Sequence, residues 1–261
     1  MEKTTFYKLQ ASGNDFILLD NRKLKIKNSK LKGIVRKYCQ RKLGIGADGL
    51  LVIEPSRKAK FKMRIFNPDG SEPQMCGNGA RSVAWWSGLK TLSFETKAGI
   101  IEAKAGKDRV KIKLSNPKGL KLNIPIKVLG RRIKVNFINT GVPHAVIFVQ
   151  GLEKIDVEGI GQAVRSHKKF SPQGVNVDFV EVLKGDLIRI RTYERGVEAE
   201  TLACGTGAVA SAIIAPSKNR KKVLTESGEM LDVCFQKNRG KINNVWLEGK
   251  ADLVYKGEIY A

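Results

Sequence analysis

The sequence predicts an α+β protein of two pseudo-symmetric domains, each a mostly antiparallel set of strands around one central helix. Three observations carry this. First, "QMCGNGARSVA" (Gln74 to Ala84) and "LACGTGAVASA" (Leu202 to Ala212) align as C-G-[NT]-G-A-x-[SA]-x-A, with their cysteines 128 residues apart in a chain of 261. Second, the flanks keep phase: Arg64 and Arg191 lie 12 and 13 residues before Cys76 and Cys204, and Gly99 and Gly228 lie 23 and 24 after. Self-similarity over such a distance marks a repeated unit. Third, the segments between alternate apolar and polar residues with the period of strands, whereas each cysteine is followed by a run of small helix formers.

Along the chain, Leu31 to Lys42 reads as the first helix. "GIGADG" (Gly44 to Gly49) fits G-x-G-x-x-G by letter, but a helix precedes it and the strand-like "LLVIE" follows, the reverse of the dinucleotide fingerprint. No nicotinamide or flavin site is expected there. The first repeat helix runs from Gly79 to Trp86. "RVKIKLS" follows as a half-buried strand, with Val110, Ile112 and Leu114 between lysines. "SNPKGLKLNIP" breaks the pattern at Asn116-Pro117 and Pro125 and is expected to link the domains. "RIKVNFI", a helix from Ile160 to Arg165, and the strands "VNVDFVEV" and "LIRIRTY" lead to the second repeat helix, Gly207 to Ile214, stopped by Pro216. "VLTESGEMLDVCF" closes as a hairpin at Ser227-Gly228. The expected domains are 1–118, completed by the C-terminal strand 250–261, and 119–249, packed together with a cleft between them.

At 42% hydrophobic the chain can bury a sizeable core. The start "MEKTTFYKLQ" has no apolar signal region and no run approaches a membrane span, so a cytoplasmic protein without membrane attachment is expected. The net charge of +23 alone would suggest nucleic acid, but the basic stretches "KLKIKNSKLK", "SRKAKFKMR", "GRRIKV" and "KNRKK" are scattered and have few aromatic neighbours for stacking. No nucleic-acid partner is expected. Cys39, Cys76, Cys204 and Cys234 show no CxxC or CxH spacing, which argues against disulfides and against a metal site. Cys39 and Cys234 are read as inert core residues.

A cysteine at a helix start meets unpaired backbone N–H groups and the positive end of the peptide dipole, which favour thiolate and lower the thiol pKa. Glycines at 77, 79, 205 and 207 let a carboxylate approach the backbone. One such element fits a nucleophile, and His144 in "GVPHAVIF" could act as base in a Cys-His hydrolase. Two related elements fit a different reaction. One sulfur removes an α-proton as thiolate, the other returns a proton to the opposite face, and the helix starts stabilise the enediolate between. A hydrolase leaves the second cysteine unexplained.

With "ASGNDFILLD", "LGIGADGLL", "FNPDGSEPQMCGNGAR", "TGVPHAV", "GVNVDFVEV" and "RTYERGVEAETLACGTGA" in order, the sequence closely resembles the diaminopimelate epimerase family. Proline racemases also use two cysteines, but carry CGHG where this chain has CGNG. The resemblance implies curved sheets or barrels around each central helix and an active site in the cleft. It implies a homodimer without cofactor or metal that interconverts LL- and meso-2,6-diaminopimelate, a small diamino dicarboxylate, on the way to lysine and peptidoglycan. By position it implies Cys76 and Cys204 as the acid–base pair, with His144 and Glu194 tuning their protonation. Gly77 with Asn78, Gly205 with Thr206, and Asn14 would hold the reacting carboxylate. Asn67, Asn176, Glu194 and Arg195 would hold the substrate too, Asn67, Asn176 and Arg195 at its distal end. Three departures stand out: Val142 where an asparagine is usual, one extra residue in "ERGVEAET", and Ser82 for a frequent third cysteine.

Overall fold

The computed structural model describes residues 3–216, 219–238 and 240–260. "KNRKK" begins at Lys218 and the expected strand 250–261 ends at Ala261, both outside the described residues. The chain divides into two compact units, Met1–Ile112 with Gly249–Ala261, and Lys113–Glu248.

The first unit contains β1 (Lys3–Ala11), β2 (Asn14–Asp20), α1 (Asn21–Leu24), α2 (Asn28–Tyr38), β3 (Gly49–Glu54), β4 (Lys62–Phe66), α3 (Gly77–Trp86), β5 (Thr91–Thr96), β6 (Gly99–Ala105) and β7 (Arg109–Lys113), the last crossing the unit boundary. The second contains β8 (Lys118–Val128), β9 (Arg131–Asn139), β10 (Pro143–Phe148), α4 (Val157–Arg165), β11 (Asn176–Val182), β12 (Leu187–Glu194), β13 (Ala199–Thr201), α5 (Gly205–Ile214), β14 (Arg220–Leu224), β15 (Met230–Asn238) and most of β16 (Lys241–Lys250). The last strand, β17 (Asp252–Tyr260), returns to the first unit and pairs with β1.

Both units repeat one pairing order. In the first, β17, β1 and β2 are antiparallel, β2 and β3 parallel, β3 and β4 antiparallel, β4 and β5 parallel, and β5, β6 and β7 antiparallel. In the second, β8, β9 and β10 are antiparallel, β10 and β11 parallel, β11 and β12 antiparallel, β12 and β14 parallel, and β14, β15 and β16 antiparallel. A parallel pair cannot be closed by a tight turn and needs a crossover. Each of the four parallel junctions has its helix: α2, α3, α4 and α5 in turn. The sheets are mostly antiparallel, as expected, and the parallel pairs place the helices. The buried runs of β2 ("NDFILLD") and β3 ("GLLVIE") are what parallel strands covered on both faces require.

The two kinds of helix do different work. The outer α2 buries Leu31, Ile34 and Val35 against a cluster that includes Phe6, Ile17, Leu50 and Phe66. The outer α4 packs Val157 and Val164 with Phe170, Val177 and Tyr193. In contrast, α5 is buried along nearly its whole length, and its small Gly205, Gly207, Ala208, Ala210 and Ala212 let strands approach from several sides.

The helices begin earlier than the apolar pattern suggested. The first ends at Tyr38 rather than Lys42, because Gly44 and Gly46 donate back to Gln40 and Tyr38 carbonyls and fold the chain over its end. Of the expected linker "SNPKGLKLNIP", the start joins β7 to β8 and the rest from Lys118 is strand; the unit boundary falls just before it, at Ile112. Pro125 is tolerated because, among the described residues, β8 pairs on one side only, with β9. Two register shifts and the positive φ of Gly119 and Asn123 absorb the irregularity.

Candidate active site

Cys76 and Cys204 occupy the same place in the two units. Each is the extended residue before a central helix, with φ −135° and ψ 125° at Cys76 and φ −114° and ψ 109° at Cys204. The first helical bonds are donated by Ala80 to Cys76 O and by Ala208 to Cys204 O. Neither start is closed by a side-chain cap. The contrast within the molecule is α4, where Asp156 accepts from Gly159 N at 2.9 Å and closes the first turn. Gly77 and Gly205 open their helices, so an anion can come close to the backbone of both cysteine turns.

In the first unit the Cys76 thiol donates to Asn14 Oδ1 at 3.8 Å. Asp48 decides which end of that amide faces the sulfur. Its Oδ2 accepts from Asn14 Nδ2 at 2.7 Å, which leaves the amide oxygen toward Cys76. Asp48 is in turn bonded by Arg41, which also bridges to Asp15, and the buried Lys8 pairs with Asp15 at 2.6 Å. Asn78 is buried with its oxygen accepting from Arg81 at 3.0 Å, and the fully buried Arg81 also donates to Ser12. Asn67 is exposed in a turn, donating to Ser71 Oγ at 2.9 Å.

In the second unit the polar groups form a continuous series. Cys204 Sγ lies 3.4 Å from Thr206 Oγ1, which lies 3.0 Å from His144 Nε2, and His144 Nδ1 lies 2.7 Å from Asp178 Oδ2. Asn176, opposite His144 on the parallel strand β11, donates to Pro143 O and accepts from Arg195 N at 2.9 Å. The Arg195 guanidinium donates to Gln173 O. Glu194 accepts from Thr201 Oγ1 at 3.1 Å, and burial raises its carboxyl above the ordinary range, with Asp178 adding to the rise. Thus His144, Asn176, Thr206 and Cys204 are brought together, with Glu194 and Arg195 consecutive at the end of β12.

The expected lowering of the thiol pKa does not hold at Cys204. Burial pushes it well above the ordinary thiol value, and the charges of Glu194 and Asp178 push it further; the Thr206 hydroxyl and the Gly207 N–H act the other way. A helix dipole is worth about 0.3–1 kcal/mol, less than one pKa unit, whereas burial moves such groups by up to several. Burial wins. Cys39 behaves as the inert core thiol expected, pushed to about 11 by burial, whereas Cys234 is half-buried.

Four acidic residues at these sites were not singled out from the sequence. Asp48 and Asp178 stand behind Asn14 and His144. Glu72 and Glu200 each lie four residues before a cysteine, and each takes a two-point clamp from an arginine of the preceding strand. Arg64 meets Glu72 at 2.8 and 3.0 Å, and Arg191 meets Glu200 at 2.7 Å on both arms. The signal was present: the repeat aligns "EPQMC" with "ETLAC" once it is extended four residues back. The clamps hold the loops that enter the cysteine turns. The Arg64 guanidinium holds the Glu72 carboxyl at about 2, with Lys97 assisting. A carboxyl depressed in the folded state contributes stability that is complete above 4.5 and lost as pH falls toward about 2. Glu72→Gln is therefore expected to lower stability at pH 7 by about 1–3 kcal/mol and to flatten its fall across that acid window, measured by urea unfolding at several pH values.

The family model for diaminopimelate epimerase matches residues 6–118 and 136–254. The chain is 42% identical to a diaminopimelate epimerase of Aquifex aeolicus (strain VF5), covering 97% of each. It is 42% identical to a diaminopimelate epimerase of Hydrogenobaculum sp. (strain Y04AAS1), covering 96% of each. Among solved structures, a Bacillus anthracis phenazine biosynthesis protein of the PhzF family shares the fold at a TM-score of 0.77 and 18% identity, covering 100% of each chain. With both cysteine turns inside the matched residues, and relatives aligned over nearly their full length, the chain belongs to the diaminopimelate epimerase family.

Proposed function

We propose that the chain is a two-base epimerase, working without a cofactor, that interconverts LL- and meso-2,6-diaminopimelate. The observation that carries this reading is the repeated placement of Cys76 and Cys204, each the residue before an uncapped, glycine-opened helix in the same position of its unit. Inversion at carbon needs two proton carriers, one for each face. One sulfur, as thiolate, takes the α-proton and becomes S–H; the other gives its S–H proton to the opposite face and becomes thiolate. The charge of the intervening enediolate falls on the open N–H groups of the helix starts, including those of Gly77, Asn78, Gly205 and Thr206. Each half of the chain, 1–118 with 250–261 and 119–249, supplies one thiol.

Burial beside Glu194 and Asp178 supports Cys204 as the proton donor of the resting enzyme, since those surroundings favour the thiol. His144 and Glu194 tune this half of the site, and Asn14, beside Cys76, helps hold the reacting carboxylate. Arg195, held through its backbone by Asn176, offers a fork for the distal carboxylate, with Asn67 at the same end. The side chain of Val142, half-buried before His144, can offer no hydrogen bond to the substrate. The protein works as a cytoplasmic homodimer, and its basic surface takes no part in the reaction.

The test is a substrate panel without added cofactor: LL-diaminopimelate, L-proline and L-glutamate, each followed by optical rotation. Rotation is expected to change with LL-diaminopimelate alone. Turnover of proline and not of diaminopimelate would assign the chain to another two-cysteine racemase.

A further inference from the structure

Asp178 is fully buried in the middle of β11, and the reaction steps above do not use it. A buried carboxylate is costly unless its oxygens are partnered. Here each oxygen has its partner: Oδ2 lies 2.7 Å from His144 Nδ1, and Oδ1 accepts from Thr192 Oγ1 at 2.8 Å. The helix start is shaped around it as well. A Cβ on Gly207 would stand 2.3 Å from Asp178 Oδ1 and 3.3 Å from the Cβ of Cys204. One carboxylate thus touches both the histidine and the turn that Cys204 caps.

The hydrogen count fixes the rest. A carboxylate has no proton to give, so His144 carries its proton on Nδ1. In the neutral ring Nε2 is then an acceptor, and the Thr206 hydroxyl at 3.0 Å is its donor. That hydroxyl has a single proton. With it committed to His144, only lone pairs remain for Cys204 at 3.4 Å, where the S–H is the donor. Asn176 Nδ2, 3.5 Å from the same Nε2, also prefers a bare nitrogen.

We propose that Asp178 is a positioning residue for Cys204: it fixes His144 as the Nδ1–H tautomer, which turns the Thr206 hydroxyl so that its oxygen receives the Cys204 thiol proton. This rests on the two-thiol reading given above. When Cys204 becomes thiolate, Thr206 must turn its proton toward sulfur and leave Nε2 to Asn176, so the tautomer biases the sulfur toward its protonated form. The charged groups facing Cys204 and His144 are Asp178 and Glu194, both acidic and both acting in the same direction on the thiol.

The chain has two histidines, His144 and His167, so nitrogen NMR of the full protein labelled in histidine resolves the two rings. Without substrate at neutral pH, His144 is expected to show a protonated Nδ1 and a bare Nε2. A protonated Nε2 would overturn the proposal. Asp178→Asn can present either amide end, so the Nε2–H tautomer is expected to appear. In that variant kcat should fall about 10- to 100-fold, the scale of losing a partner that orients a histidine, while KM stays within about twofold. The limb of the kcat/KM profile that belongs to Cys204 should move to lower pH. Thr192→Val is the structural control, with lower thermal stability but an unchanged tautomer. An Asp178→Asn protein that keeps both tautomer and pH limb would refute the assignment, and if that variant does not fold the wild-type spectrum decides. Because the tautomer is read without substrate, a bare Nε2 in a chain that fails to turn over diaminopimelate would count against the epimerase reading alone.

Discussion

Cys76→Ala and Cys204→Ala are each expected to lower inversion of diaminopimelate by about 10³-fold or more while leaving the fold intact, since each removes one of two obligatory proton carriers. The fold should survive because Cys76 is only half-buried, and both cysteines precede their helices, so an alanine at either position leaves the helix itself intact. The two losses are not equivalent in a second measurement. In deuterated water, a chain with one remaining sulfur can still take a proton from the stereoisomer that faces it and return deuterium to the same face. Cys76→Ala should therefore exchange the α-proton of one stereoisomer without inverting it, and Cys204→Ala that of the other. The pH dependence has a definite sign. Exchange by Cys76→Ala needs the Cys204 thiolate, and the thiol is raised by burial, Glu194 and Asp178, so its rate should keep rising with pH past the ordinary thiol range. Mass spectrometry and optical rotation report the two readouts. A single-cysteine variant that inverts at more than a few per cent of the wild-type rate, or exchanges both stereoisomers alike, is incompatible with two bases.

The sites were legible in the sequence to the extent that they are local. A cysteine followed by Gly-x-Gly-Ala states its own backbone, and the repeat of that string at 128 residues gave both helices and the two-unit plan. What lay outside reach was of two kinds. Pro125 and Gly119 signal a break to any pattern reading, yet an edge strand with register shifts accommodates both, and β8 results. The other kind is long-range partnership. Asp178 in "VNVDFVEV" is a lone carboxylate among buried apolar neighbours, which announces that something must neutralise it, but His144 lies 34 positions away. The Cys204 thiol follows the same rule: its helix start was readable, whereas its burial beside Glu194 and Asp178 depends on how β11 and β12 pack on α5.

The second large effect is expected from Gly207→Ala, which adds one methyl group. The new Cβ would stand 2.3 Å from Asp178 Oδ1 and 3.1 Å from its Cγ, far inside contact distance. Asp178 cannot swing aside, because it is buried and its two oxygens are held by Thr192 and His144. Either the carboxylate loses its partners or the helix start moves. Disrupting a buried, partnered charge costs about 3–5 kcal/mol, and a shift near 1 Å at a catalytic group costs on the order of 10² in rate. Both losses are expected, read by urea unfolding and by kcat/KM. The equivalent Gly79→Ala makes the comparison sharp. Its Cβ would stand 2.9 Å from Leu51 Cδ2, the end of a flexible side chain that can yield, so a cost of about 1–3 kcal/mol is expected there. Gly33→Ala, inside α2 with nothing within 4 Å of the new atom, should raise stability by about 0.5–1 kcal/mol. The same substitution at three helical glycines thus spans a gain, a modest loss and a large loss, and only the last acts on the buried carboxylate behind Cys204. A Gly207→Ala protein as stable and active as the wild type would mean that Asp178 has room to move, and the close fit between β11 and the start of α5 would not be what sets the Cys204 turn.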